Sequence, residues 1–199
     1  MRGLQVNVQI GVLALQGAFA AHSECLASLG VQSIEVRTPE QLIGVDALLM
    51  PGGESSTMSQ LLESSGLFDP IAERISSGMP VFGTCAGMIL LASEVLDGRS
   101  DQRNFSAIDI SVRRNAFGRQ LDSFETTVST SVGEFHGVFI RAPRIERVGA
   151  DVKVLGSIND EPVLVQQGNV LAASFHPELS GDARLHDYFV SMTSNKKKV

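Results

Sequence analysis

A cysteine lies at the centre of a Gly-x-Cys-x-Gly pattern in the segment VFGTCAGMIL, residues 81–90. Where a strand turns sharply into a helix, the central residue is strained, and small residues two positions away on both sides avoid clashes. Gly83 and Gly87 meet this requirement, and the start of the following helix would favour the thiolate of Cys85. The alternative is a cysteine that only packs, since glycine is common in strand-to-helix turns. The stretch alone leaves both readings equally open.

A candidate base follows another apolar segment, LAASFHPEL, residues 171–179. Pro177 restricts His176 to extended conformations, so that the carboxylate of Glu178 can return to the imidazole. A carboxylate that holds a histidine orients a general base and stabilises its imidazolium form. By itself a His-Pro-Glu triplet is more often a turn that ends a strand. Together with Cys85 it predicts a Cys-His-Glu triad.

Two adjacent glycines occur in LLMPGGESST, residues 48–57, where another strand would end. A Pro-Gly-Gly turn has no side chains beyond the proline, so its N–H groups can come close to a developing oxyanion. Gly53 is therefore a candidate oxyanion donor, and the N–H of Ala86, next to the cysteine, is the second. The alternative is a plain glycine turn followed by a serine that caps a helix, and it is compatible with the first interpretation.

Alternating strand and helix patterns would position these three segments. The alternation in the first half indicates a three-layer α/β fold, with a mainly parallel central sheet and helices on both faces. In such a sheet functional groups collect at the carboxyl ends of the strands, so Cys85, His176 and Gly53 would converge there. The second half predicts short strands in added antiparallel hairpins and a last helix. The predicted strands cover 8–15, 31–37, 46–50, 79–83 and six segments between 107 and 175, and the predicted helices cover 17–30, 55–66, 67–77, 86–96 and about 181–193.

Composition limits the classes of protein to which the chain can belong. Its 199 residues suffice for one domain and are few for two, so one domain is expected, with flexible ends at 1–7 and 194–199. Hydrophobic residues make up 43% and are interrupted by Gly, Pro and charges, which is typical of a soluble globular protein. The formal net charge of −6 disfavours nucleic-acid binding, although Arg113, Arg114 and Arg119 could hold a small anion.

The cysteines and the other histidines suggest no metal or disulfide. Cys25 and Cys85 could form one disulfide at most, and a domain of this size does not need it, so a reducing, cytoplasmic setting is expected. His22, His136 and His186 lie in predicted helices or a strand, where surface or packing roles are expected. The sequence contains no His-x-x-x-His, paired Cys-x-x-Cys or P-loop pattern, so the predicted chemistry needs neither metal nor cofactor.

Taken together and in this order, PGGES, GTCAGM and FHPE resemble the class I, or triad, glutamine amidotransferases, whose fold is flavodoxin-like. The segments IGVLALQGAFAAH, RNAFGRQLDSFE and FIRAP are more specific. From about residue 8 to 190 the chain is similar to the glutaminase subunits of pyridoxal 5'-phosphate synthases. It departs from that pattern at Ser56 and Ser180, where Thr is common, and neither position belongs to the triad.

The resemblance implies hydrolysis of L-glutamine to L-glutamate and ammonia. Cys85 would form a γ-glutamyl thioester, His176 would move the protons, and Glu178 would hold His176. The N–H groups of Gly53 and Ala86 would stabilise the oxyanion. The family's motifs assign the α-amino and α-carboxylate ends of the substrate to six positions, which are Gly53, Glu54, Ser55, Arg114, Ile140 and Arg141.

The resemblance further implies a synthase partner in a large hetero-oligomer. The partner would activate the glutaminase on docking, receive the ammonia through a tunnel and make the vitamin B6 coenzyme. Gln16 and Gly17 would lie near the docking surface and the oxyanion loop, and neither a membrane nor a nucleic-acid partner is expected. Three alternatives remain: a glutaminase that serves a different amide-transfer synthase, a hydrolase or chaperone-like protein with a cysteine elbow, and a catalytically silent binding subunit. The His-Pro-Glu triplet counts against the second, and the intact triad counts against the third.

Overall fold

The computed structural model describes residues 8–114 and 123–194. Its main element is a nine-stranded mixed β-sheet. In chain order, the strands are β1 (Ile10–Leu13), β2 (Ser33–Val36), β3 (Ala47–Met50), β4 (Val81–Thr84), β5 (Ala92–Val95), β6 (Ile108–Arg113), β7 (Ser123–Thr130), β8 (Gly133–Ile140), β9 (Arg144–Val148), β10 (Lys153–Ile158), β11 (Glu161–Gln167) and β12 (Val170–Ala173). The helices are α1 (Phe19–Ser28), α2 (Pro39–Ile43), α3 (Ser55–Ser64), α4 (Phe68–Ser76), α5 (Ala86–Leu91) and α6 (Arg184–Ser194), and a 3-10 turn spans Pro177–Leu179.

The order of the large sheet places two of the candidate motifs side by side. The strands run β2-β1-β3-β4-β12-β11-β10-β7-β8. Neighbours from β2 to β12 are parallel, and neighbours from β12 onward are antiparallel. In the pairing of β4 with β12, Thr84 lies opposite Ala173. The strand that leads to Cys85 therefore ends beside the strand that leads to His176.

Helices cover both faces of this sheet, which confirms the predicted three-layer α/β architecture. On one face Leu26 of α1 and Phe189 of α6 pack with Val12 of β1. On the other face Leu62 of α3 belongs to a second core, together with Leu13 of β1. Successive residues of β1 thus supply opposite layers, as expected for a buried strand. Each fully buried side chain of this size contributes about 1.5–3 kcal/mol.

A second sheet, of order β5-β6-β9, shows where the sequence prediction was wrong. The pattern predicted one helix over 86–96, but α5 ends at Leu91 and β5 begins at Ala92. β5 pairs with β6 in parallel, so strand pairing replaces the second half of the predicted helix. A short apolar run does not distinguish a buried helix from a strand. The prediction also lacked α2 and β9.

Some sequence predictions fall on residues outside the described ranges. They include the flexible ends at 1–7 and 194–199, except Ser194, which is the last residue of α6. Arg119 and most of the RNAFGRQLDSFE segment also lie outside them. Within residues 8–114 and 123–194, none of the helices combines the length and apolar character that spanning a membrane requires.

Candidate active site

Cys85 lies in the turn that joins β4 to α5. Its φ of 50° and ψ of −103° are rare for an L residue, and its N–H donates to the carbonyl of Ala173 at 2.8 Å. A β-carbon on Gly83 would lie 2.6 Å from the carbonyl carbon of Gly87, and one on Gly87 would overlap the carbonyl oxygen of Met50. Both glycines therefore allow the strained strand-turn-helix geometry that the sequence pattern predicted.

His176 and Glu178 follow β12 and turn back toward Cys85. Nδ1 of His176 lies 2.8 Å from Oε1 of Glu178, and the imidazole also hydrogen-bonds to Cys85. All three residues are buried, with 5%, 8% and 7% of the surface exposed for Cys85, His176 and Glu178. The structure thus brings the three predicted catalytic side chains into one continuous chain of contacts, largely shielded from water.

The positive charge of this cluster lies on His176. Burial opposes the imidazolium form, but hydrogen bonds to Cys85 and Glu178, together with the negative charges of both, raise the pKa of His176 to about 10. At neutral pH the imidazole therefore holds a proton that faces the sulfur. Cys25, which like Cys85 is a free thiol, has a different setting. Burial and the charges of Glu178 and Glu24 raise the pKa of Cys25, which disfavours its thiolate.

The two candidate oxyanion donors flank the cysteine. Gly53 lines the same cleft as Cys85 and has a φ of 156°. Ala86 is the first residue of α5, so its N–H has no acceptor within the helix. Oε1 of Gln16 accepts from the N–H of Glu54 at 3.3 Å and would lie 3.2 Å from a β-carbon on Gly53. Gln16 therefore lies against the loop that carries Gly53, and its proximity to a docking surface stays a prediction.

A cleft of about 330 Å³ opens over the sulfur, within the size range of small-molecule sites, about 300–1,000 Å³. Its wall contains the three residues Cys85, His176 and Ile89. It also contains all six positions assigned to the substrate, namely Gly53, Glu54, Ser55, Arg114, Ile140 and Arg141. A wider surface groove of about 610 Å³, beside α1 and β2, is lined by described residues that include none of these.

Arg114 is held at the cleft by several polar groups. Its Nη1 donates to Oγ of Ser56 at 2.8 Å and lies 3.7 Å from Oε1 of Glu54, and its backbone N–H donates to Oδ1 of Asp97 at 2.8 Å. Its Nε is buried and has no hydrogen-bond partner among the described residues. Glu54 caps α3 by accepting from the N–H groups of Ser56 and Thr57. Although burial opposes it, these hydrogen bonds lower the pKa of Glu54, so a carboxylate and a guanidinium line the same cleft.

The end of β8 and the residue after it border the cleft. The carbonyl oxygen of Ile140 lies 3.8 Å from Sγ of Cys85, and the N–H of His176 donates to the carbonyl of Val138 at 2.8 Å. Arg141 has a φ of 45°, a strained conformation for a residue with a side chain. Contacts to Cys85 and His176 thus hold the segment that carries Ile140 and Arg141.

Sequence reasoning missed some polar residues behind the cleft. Oε1 of Gln102 accepts from Oγ of Ser55 at 3.4 Å and from Oγ of Ser56 at 3.1 Å. Gln102 and Asp97 follow β5 and lie outside all three motifs. They reach the site only because β5 joins the small sheet, so the sequence contains no local signal for them.

The other three histidines differ in exposure. His22 and His186 are fully buried, so of the two expected roles the surface one does not apply to them. Helical spacing could have predicted the burial of His22, because it lies four residues before Leu26 on the same face of α1. His136 is exposed and pairs with Glu125 at 2.9 Å. Over the described ranges, no three His, Cys, Asp or Glu side chains are grouped so as to hold a metal ion.

Comparison with known proteins covers nearly the whole chain. The sequence profile of the SNO glutamine amidotransferase family matches residues 12–195. The pyridoxal 5'-phosphate synthase subunit PdxT of Salinispora arenicola is 56% identical over 191 residues, which cover 92% of this chain and 95% of that protein. PdxT of Corynebacterium jeikeium is 54% identical over 193 residues, 94% of this chain and 97% of that protein. A crystal structure of a glutamine amidotransferase superposes with a TM-score of 0.89 and 49% identity, covering 93% of this chain and 98% of its own.

Proposed function

Because the chain belongs to the SNO glutamine amidotransferase family, we propose that it is the glutaminase subunit of a pyridoxal 5'-phosphate synthase. It hydrolyses L-glutamine to L-glutamate and ammonia. The observation that carries this proposal is the relay Cys85–His176–Glu178 at the bottom of a cleft with both charge signs on its wall. A nucleophile, an acid held by a carboxylate and a polar cleft are what hydrolysis of an amino-acid side-chain amide requires.

In the first half-reaction Sγ of Cys85 attacks the side-chain carbonyl carbon of glutamine. The N–H groups of Gly53 and Ala86 hydrogen-bond to the oxyanion of the tetrahedral intermediate. The imidazolium of His176 gives its proton to the amide nitrogen, the C–N bond breaks, and ammonia leaves. The γ-glutamyl group remains on Cys85 as a thioester.

In the second half-reaction His176 changes from acid to base. Two causes of its raised pKa, a hydrogen bond and a negative charge, come from Cys85. Thioester formation removes that charge, so His176 becomes a better acceptor for a proton from water. Hydroxide attacks the thioester carbon, the C–S bond breaks, glutamate leaves, and the thiolate and imidazolium are restored. Glu178 orients the ring throughout.

The two ends of the amino acid meet complementary groups. Arg114 and Arg141 offer positive charge to the α-carboxylate, and Glu54 offers negative charge to the α-ammonium. Ser55 and the backbone of Gly53 and Ile140 complete the wall with hydrogen-bonding groups. Charge-assisted hydrogen bonds of this kind fix orientation as well as affinity.

The ammonia passes to a synthase subunit in a hetero-oligomer. The relatives in Salinispora arenicola and Corynebacterium jeikeium support this assignment, since both are named as subunits of pyridoxal 5'-phosphate synthase. Docking of the synthase activates the glutaminase, and the product enters a tunnel instead of bulk water. We propose that this activity takes place in the cytoplasm. Cys25 and Cys85 are not joined in a disulfide, which is compatible with reducing conditions.

Glutamate release by the chain alone and with its synthase partner tests the proposal. We expect low activity alone, strong stimulation by the partner and loss of several orders of magnitude in Cys85→Ala, because only binding and oxyanion effects remain. Cys25→Ala serves as the matched cysteine control and should keep the activity. Equal rates for wild type and Cys85→Ala would refute the mechanism, and stimulation by a different acceptor subunit alone would refute the partner.

A further inference from the structure

A pair of buried histidines lies directly behind Glu178. His22 of α1 and His186 of α6 are both fully buried, and Nδ1 of His22 lies 2.9 Å from Nε2 of His186. They belong to α1 and α6, whose apolar residues Leu26 and Phe189 pack in the same core. The hydrolytic steps above use neither of them, although two buried imidazoles must find hydrogen-bond partners.

His22 touches two residues that position the relay. Its Nε2 lies 3.2 Å from Oγ1 of Thr84, the residue before Cys85, and 3.3 Å from Oε2 of Glu178. Among the described residues this Oε2 atom has no partner with full hydrogen-bond geometry, whereas Oε1 is taken by His176. Nε2 of His22 is therefore a polar group close enough to stabilise Oε2 of the buried carboxylate.

Both imidazoles are neutral in the folded chain. Burial lowers the pKa of His186 to about 4. Burial, followed by the charges that His186 and His176 can carry, lowers the pKa of His22 well below its usual value. Each ring therefore carries one proton. The position of the proton on His22 decides whether an N–H group or a lone pair lies next to Oε2 of Glu178.

The neighbours of His22 determine its tautomer. A proton on Nε2 points to Oγ1 of Thr84 at 3.2 Å, places partial positive charge 3.3 Å from Oε2 of Glu178, and leaves Nδ1 to accept from Nε2–H of His186. The unpartnered Nδ1 of His186 is then a lone pair beside apolar surroundings that include the ring of Phe82. The opposite tautomer would place a lone pair against a carboxylate oxygen and bury an N–H of His186 without an acceptor, which costs more.

We propose that His22 is a positioning residue of the triad, whose Nε2–H holds Glu178 and ties it to Thr84 beside the nucleophile, while His186 fixes the tautomer of His22. This role rests on the proposed function, because His22 acts only through Glu178 and His176. It extends the relay by one residue away from the substrate. Partners that orient a functional histidine in metal sites change activity by about 10- to 100-fold, and we expect an effect of similar size here.

Three variants at position 22 separate positioning from packing. His22→Leu fills the space without a donor, His22→Gln places an amide nitrogen near the position of Nε2, and His22→Asn places one near Nδ1. In the complex with the synthase, His22→Leu and His22→Asn should lower kcat about 10- to 100-fold, while KM changes about twofold at most. His22→Gln should recover most of the lost kcat. If His22→Leu does not fold, the comparison of Gln with Asn decides.

The imidazole signals of the free chain supply a second readout. In NMR titrations of histidine-labelled protein, His22→Leu should move the pKa of His176 from about 10 toward the ordinary value, because Glu178 is less well held. His22→Gln should leave this pKa near that of wild type. The exposed control His136→Leu should change neither kcat nor the signal of His176.

The proposal is overturned if folded His22→Leu, or the Asn variant in its place, keeps kcat within about twofold of wild type. It is also overturned if His22→Gln is no more active than His22→Asn, or if the pKa of His176 is the same in all variants. Wild type and Cys85→Ala are measured in the same assay. Equal rates for these two would sink the proposed function, while the NMR titration would still judge the contact between His22 and Glu178.

Discussion

Gly52 faces the imidazole ring of His176 so closely that no side chain fits between them. A β-carbon on Gly52 would overlap Cε1 of His176, lie 3.0 Å from its Nδ1 and approach Cβ of Cys85 to 3.3 Å. The loop that carries Gly53 is therefore packed directly on His176 and Cys85. Because residue 52 has no side chain, this loop can lie this close to His176 and Cys85.

Gly52→Ala should reduce glutaminase activity about 100-fold or more, because a displacement near 1 Å of a reacting group has this effect. The added methyl group must displace either the imidazole or the oxyanion loop. Steady-state kinetics with the synthase present would measure the loss. The control is Gly44→Ala, where φ is −83° and nothing lies within 4 Å of the new β-carbon. Full activity of Gly52→Ala would contradict the packing described.

Gly87→Ala should lower the free energy of unfolding by about 1–3 kcal/mol. A β-carbon at this position would overlap the carbonyl oxygen of Met50 and lie 3.1 Å from its Cβ. Helix propensity alone predicts the opposite, since alanine is favoured over glycine in a helix by about 1 kcal/mol. Urea denaturation of wild type and Gly87→Ala distinguishes the steric effect from the effect of helix propensity. A variant more stable than wild type would show that α5 does not pack tightly against β3.

Arg114→Ala should raise KM for glutamine about 10- to 100-fold with a smaller effect on kcat, since hydrogen bonds to charged groups contribute about 1.5–3 kcal/mol. The neighbouring residue gives a matched control. Arg113 pairs with Glu146 at 3.3 Å, its side chain is 48% exposed, and exposed pairs contribute little. Arg113→Ala should therefore keep the wild-type KM. Equal effects at both positions would remove the special role of Arg114.

Acid should destabilise the chain between about pH 6.5 and pH 4. The pKa of His186 is about 4 when folded and near 6.5 when unfolded, so over this window the unfolded chain binds the proton first. The loss amounts to roughly 3 kcal/mol for His186. His176 does not oppose it, because its raised pKa gives a stabilisation that is complete below about pH 6.5 and fades only as the pH rises toward 10.

His186→Leu tests this assignment. The variant should lose less stability than wild type between pH 6.5 and pH 4, whatever its stability at neutral pH, because one of the two buried histidines with a lowered pKa is gone and His22 remains. Chemical denaturation at several pH values measures the slope. His136→Leu, at an exposed imidazole, should keep the wild-type slope. A His186→Leu slope as steep as that of wild type would assign the acid sensitivity elsewhere.

The sequence predicted best those features of the candidate site that depend on residues close together in the chain. The glycines around Cys85 and the proline between His176 and Glu178 are local rules, and the structure has the turns that these rules require. Strand order then explains why the motifs meet, because β4 and β12 are adjacent and parallel. A single sequence gives the alternation of strands and helices but not this adjacency.

Tertiary contacts decided the rest. The run AGMILLASEVL has the composition of a helix, yet its second half pairs with Ile108 and Val112 of β6. That pairing brings Asp97 and Gln102 to the site, and neither belongs to a recognisable motif. The contact of His22 with Glu178 has the same origin, since it joins two elements that are distant in sequence.

The segment from Gly17 to His22, which enters α1, contacts the candidate site at two places. Just before α1, a β-carbon on Gly17 would overlap the carbonyl oxygen of Gly52, and in the first turn of α1 His22 reaches Glu178. The loop that carries Gly53 and the carboxylate of Glu178 thus both contact one short segment of the chain. A shift of α1 by one ångström would change both distances in the same movement. The position of α1 therefore affects the loop beside Cys85 and the carboxylate of Glu178 together.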